Sequence, residues 1–150
     1  MMPTGTIGVI LFGRVTYQGM ASYWPTPFAI ENDPVIAAQM NGFPKIVISH
    51  TLDKAEWNNT RLIKDNVAEE ITKLKQQPGK DIIIDGSASL VQSLMGTDLI
   101  DEYRFLVLPF IMGRGRRFFP EGTPPTKLRL VESKMLSFGA LALIYQPDNK

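Results

Sequence analysis

Short apolar runs recur along the chain, each followed by a segment with helical spacing. Ile7 to Phe12 reads IGVILF and is stopped by Gly13. A run without alternation predicts a strand buried on both faces, as in the middle of an α/β sheet. Arg14 to Tyr23 predicts a short helix with Val15, Met20 and Tyr23 turned inward, ended by Pro25 and Pro27. Asn32-Asp33-Pro34 predicts a second helix, capped by Asp33, with Pro34 in its first turn, running to about Asn41 and stopped by Gly42. Lys45 to Ser49 predicts a second strand and Thr60 to Ile63 a third.

The next helix, Asn66 to Gln77, carries the strongest amphipathic pattern. Val67, Ile71 and Leu74 share one face, and Glu69, Glu70, Lys73 and Lys75 the other, before Pro78-Gly79 breaks it. Asp81 to Ile84 predicts a buried strand and Ser87 to Met95 a helix with Leu90, Val91 and Leu94 inward. Glu102 to Met112 is the longest strand candidate, and Lys127 to Gln146 reads as two strands around a turn at Phe138-Gly139. No helix-length segment separates those last strands, so they are expected to be antiparallel. The order predicts an α/β fold in three layers, α-β-α, around a mixed, mainly parallel sheet with an antiparallel edge at its C-terminal end.

Composition narrows the chemistry. The 150 residues suit one domain spanning the chain. A net charge of +1 gives no global field for nucleic acid or acidic membranes, and no apolar run approaches the length of a membrane span. Without cysteine there is no disulfide, thiolate nucleophile or cysteine-ligated metal, which fits a cytoplasmic protein. His50 is the one histidine, so no histidine cluster can hold a metal within one chain.

Three segments join a strand's carboxyl end to donor groups. In IIIDGSASLVQSLM (82–95), Gly86 lets backbone approach a ligand and Ser87 can cap the helix, whose free N–H groups suit a pyrophosphate. A plain strand–helix turn explains Gly86 equally well. Gly13-Arg14-Val15-Thr16-Tyr17 also opens a helix after a strand, and Arg14 and Thr16 offer a guanidinium fork and a hydroxyl. Ser49-His50-Thr51 ends the second strand, where it would meet a ribose or its 2′-phosphate; for His50 a polar strand end is the simpler reading. The basic run Gly113 to Arg117 is read as a solvated loop rather than a nucleic-acid patch. Trp24 and Trp57 are read as half-buried packing residues.

Taken in order, LFGRVTYQGMASYWP, KIVISHTL, EWNNT, DIIIDGSASLVQSL, LIDEYRFLVLPFIMGRGRRFF and KLRLVESK with GALALIYQP resemble the dihydrofolate-reductase-like family. They resemble most its branch typified by the C-terminal reductase domain of the bifunctional riboflavin-biosynthesis enzyme. The resemblance implies NADPH as hydride donor and a small heterocycle or pyrimidine as acceptor. It implies phosphate contacts from Gly13, Arg14 and Thr16 and from Gly86, Ser87 and Ala88, 2′-phosphate contacts near Ser49 and His50, and a homodimer paired through the C-terminal strands. Two positions depart from the family pattern: His50 stands where arginine is frequent, and Asp85 where a second glycine is frequent. The family also begins with a strand, loop and helix before the segment at Gly13, so the chain reads as short at its N-terminus. The substrate side of the site belongs to that stretch, and no proton donor is named. A dinucleotide-binding domain without turnover, completed by a partner chain, is the alternative.

Overall fold

A computed structural model describes residues 7–77, 79, 81–84, 88–115, 118–119 and 121–148. They fall into two compact units, 1–93 and 94–150.

The first unit is built on a parallel four-stranded sheet in the order β3-β2-β1-β4, from β1 (Ile7–Gly13), β2 (Lys45–Ile48), β3 (Thr60–Ile63) and β4 (Asp81–Ile84). Phe12 pairs with Val47 and Gly13 with Ile48 on one side of β1, and Leu11 pairs with Ile84 on the other. Ile10, Leu11 and Phe12 are all buried, as expected for a strand covered on both faces. The β4 isoleucines are only half-buried; among the described residues β4 pairs on one side only, with β1.

Three helices join β1 to β2: α1 (Arg14–Tyr23), α2 (Pro27–Asn32) and α3 (Pro34–Gly42). The short α2 is an addition to the expected pair. Thr26 caps it, its Oγ1 accepting from the Ala29 N–H at 3.3 Å, and Pro27 begins it, so a residue read as a breaker is a starter. Asp33 stands at the N-cap of α3 but makes no side-chain cap; its carboxylate accepts instead from the Tyr23 hydroxyl at 3.4 Å. Of the residues expected to face inward on α1, Met20 packs against the core, and the other two do not. Val15 is 68% exposed, Tyr23 is exposed, and the buried residue is Tyr17, at 4%. Tyr17 packs with Phe12 and Trp57, ring centroids 6.4 and 6.0 Å away, in a core completed by Ile10 and Val47.

The helix α4 (Val67–Gln76) carries the expected apolar stripe, with Ile71 buried and the Glu69–Lys73 pair at 3.8 Å. The helix α5 (Ala88–Leu94) buries Leu90 and Leu94.

The second unit is an antiparallel sheet in the order β5-β7-β6, from β5 (Tyr103–Val107), β6 (Leu128–Met135) and β7 (Leu141–Pro147). The turn between β6 and β7 uses Gly139 at φ +88°. The long strand expected over Glu102 to Met112 ends at Val107. Pro109 has no N–H to donate to a ladder, and Leu108 to Met112 are exposed. The antiparallel part is C-terminal, as expected, but its strands form a sheet of their own.

Candidate functional site

In a parallel sheet every strand ends on the same side, so the chain order decides which loops become neighbours. The order β2-β1-β4 places the carboxyl ends of the three strands, Ile48, Gly13 and Ile84, side by side along one edge of the first unit's sheet. They are the strand ends from which the three segments singled out by the sequence lead on.

The central segment is the best defined. Strand β1 passes directly into α1, with Gly13 as an extended N-cap at φ −75° and ψ 166° that has no side chain to cap the helix. The first N–H groups of α1 therefore lack a side-chain partner at the cap, and its first turn contains no acidic residue. Arg14 is exposed, its Nη1 resting on Gln18 Oε1 at 3.1 Å, and Thr16 is half-buried. This end of the helix offers donors without a carboxylate, which suits a phosphate.

At the neighbouring strand end the two polar residues separate. Ser49 is buried, and its Oγ accepts from the backbone N–H groups of Thr51 and Leu52, each at 3.2 Å. Its hydroxyl holds the turn that carries His50, and His50 itself is exposed. On the other side Gly86 and Ser87, with Asp85, lie outside the described residues, and Ala88 opens α5. Arg114 in the basic run is exposed, while Arg116 and Arg117 lie outside the described residues.

The opposite edge of the sheet holds what sequence reasoning missed. Lys45 begins β2 yet is only 1% exposed. Its Nζ donates to the carbonyls of Met40 at 2.9 Å, Asn41 at 3.2 Å and Phe43 at 2.8 Å, and lies 4.4 Å from the centre of the Trp57 ring. Burial lowers its pKa from 10.5 to about 8. Trp57, expected half-buried, is 6% exposed, and its indole N–H donates to Asn41 Oδ1 at 2.8 Å. A shallow concavity of about 610 Å³ opens here, over Val9, Ile46, Trp57 and Leu74. It lies at the amino ends of the strands, away from the loops that carry the donor groups. Among the described residues no three of His, Asp and Glu gather as metal ligands, and no helix is long and apolar enough to cross a membrane.

The family model of the RibD C-terminal domain matches residues 5–142. The chain belongs to the RibD C-terminal domain family. Two Bacillus subtilis (strain 168) proteins are similar along most of the chain. YyaP is 30% identical over 139 residues, 93% of this chain and 73% of that protein, and YwjB is 30% identical over 129 residues, 86% and 68%. Among solved structures, a Shewanella sp. PV-4 protein named for riboflavin biosynthesis aligns with a TM-score of 0.75 at 20% identity, over 97% of this chain and 76% of that one. A pyrimidine reductase-like protein from Corynebacterium diphtheriae aligns with a TM-score of 0.62 at 14% identity, over 93% and 75%. At such identities the structural likeness establishes the fold, which is the α/β, dihydrofolate-reductase-like one expected.

Proposed function

We propose that this domain binds NADPH along the carboxyl ends of β1, β2 and β4 and reduces a small heterocyclic substrate. The acceptor is of the ribosylaminopyrimidine or dihydrofolate type, in keeping with membership of the RibD C-terminal domain family and with the names of the Shewanella and Corynebacterium proteins. The observation that carries the reading is the amino end of α1, uncapped by any side chain, free of acids and set on β1 between the carboxyl ends of β2 and β4. There Gly13, Arg14 and Thr16 would hold phosphate oxygens through backbone N–H groups, a guanidinium and a hydroxyl. The Ser49 turn would present His50 toward the 2′-phosphate, and Gly86, Ser87 and Ala88 would take the remaining phosphate. NADPH, when bound, supplies the hydride, and the protein supplies position and charge.

The test is a titration of the purified chain with NADPH and NADH, followed by tryptophan fluorescence, with Arg14→Ala in parallel. Saturable NADPH binding that weakens about tenfold in the variant, the equivalent of one charge-assisted hydrogen bond, supports the site. Failure of both cofactors to bind overturns it. Binding without NADPH oxidation in a substrate screen identifies a binding domain rather than a reductase.

A further inference from the structure

The EWNN segment at 56–59 carries none of the donor groups of the proposed site, yet its contacts reach both helices that flank the core. Its side chains close the carboxyl end of α3. Asn58 Nδ2 donates to the Asn41 carbonyl at 3.3 Å, Asn59 Nδ2 to the Gly42 carbonyl at 3.0 Å, and the Trp57 indole to Asn41 Oδ1. Asn59 takes a left-handed backbone, φ 59°, to make its bond. The Lys45 ammonium holds the same helix end from the other side and lies against the Trp57 ring. With the segment braced on the end of α3 through Asn58 and Asn59, the backbone N–H of Trp57 donates to the Tyr17 hydroxyl at 3.0 Å, across 40 residues of sequence.

Tyr17 stands one residue after Thr16, in the first turns of the helix whose amino end faces the proposed phosphate site. Arg14, Val15 and Gln18 are all exposed, so they do not anchor this end to the core. Tyr17 is its buried anchor, and among the described residues the Trp57 N–H is the hydrogen-bond partner that fixes where the ring's far end sits.

We infer that Tyr17 is a positioning residue for the phosphate end of α1, and that the 56–59 segment, braced on the carboxyl end of α3, is the clamp that holds it. The ligand part of this inference rests on the proposed dinucleotide site; the clamp does not. Tyr17→Phe keeps the ring and deletes only the hydroxyl. Trp57→Phe keeps the backbone N–H and the Asn58 and Asn59 braces that place it, while removing the indole's bond to Asn41 and altering the packing. The hydroxyl, not the bulk of the cluster, is expected to govern the position of α1.

Two readouts separate the possibilities. Amide hydrogen exchange, measured without ligand, is expected to speed up in the second turn of α1, whose N–H groups bond within the helix, in Tyr17→Phe by at least about tenfold relative to α4, whereas Trp57→Phe raises exchange in the two helices evenly. NADPH affinity is expected to fall roughly five- to tenfold in Tyr17→Phe, with inorganic pyrophosphate weakened in the same proportion. Uniform exchange changes in Tyr17→Phe overturn the clamp, whatever NADPH does. Selective loosening of α1 with NADPH affinity unchanged overturns the positioning role. Failure of the wild-type chain to bind NADPH or pyrophosphate overturns the proposed site and with it that role, and the exchange data still decide the clamp.

Discussion

A lysine at the first position of a strand ordinarily extends into water, and Lys45 does the opposite because the carboxyl end of α3 supplies three carbonyls within reach. A charged amine there compensates the orphan acceptors of the helix end, but its desolvation dominates, and the pKa falls to about 8. The consequence for stability follows from which state holds more protons. Between pH 8 and 10.5 the unfolded chain keeps this lysine protonated while the folded one has released it, so stability rises with pH across that window. The gain is absent below about pH 8 and complete above 10.5, and amounts to about 3–4 kcal/mol. Lys45→Arg cannot release its proton, so urea midpoints at pH 7.5 and 10 should show the wild type gaining on that variant. An equal change in both proteins refutes the assignment. His50 makes a different prediction. An exposed imidazole beside a proposed 2′-phosphate site holds a phosphate less firmly than a guanidinium fork. His50→Arg is expected to raise the NADPH-to-NADH affinity ratio about tenfold, ~1.4 kcal/mol, as read by paired fluorescence titrations.

At the scale of elements, the hairpin of β6 and β7 turns on Gly139, whose φ of +88° is costly for any residue with a Cβ. A Cβ there would meet Pro109 at 3.6 Å, an ordinary contact, so the cost of Gly139→Ala is backbone strain alone. A loss of about 1–2 kcal/mol in denaturant unfolding is expected, with Gly139→Asn recovering part of it. This turn was legible in the sequence, as were β1, α4 and the strands on either side, because each is written in the spacing of its own residues. The α1 face was legible at Met20 but not at Tyr17, because a ten-residue helix has several apolar positions, and the deciding contact, Tyr17 on Trp57, comes from 40 residues away. Strand β5 was drawn too long because Leu108 to Met112 is as apolar as the strand before it, while Pro109 interrupts the donors. The edge of the sheet that carries the candidate site was legible for a topological reason: parallel strands put their following loops on one side. The Ser49 turn and the capping of α3 by Lys45, Asn58 and Asn59 were not, since partners distant in sequence or competing local bonds decide them.

At the scale of the molecule, the apolar residues after β5 are exposed among the described residues. Phe110 is 73% exposed, Ile111 100% and Met112 72%, in one consecutive run beside exposed Leu106 and Val107. Isolated apolar residues on a surface are ordinary, whereas contiguous exposed apolar runs are the kind of surface that contacts with partners use. We propose that a second copy of the chain covers it. A symmetric pair buries the same run from both protomers in one interface, so a single apolar segment is hidden twice by one contact. The mass measured by light scattering at micromolar concentration should then be twice that of the chain. Ile111→Lys places two ammonium groups in the interface of such a dimer and should shift the mass toward one chain, while leaving the far-ultraviolet circular dichroism unchanged because the side chain contributes nothing to either unit's core. A wild-type mass of one chain at all concentrations rejects the pairing. A dimer that persists unaltered in Ile111→Lys retains the pairing but moves the interface to another surface.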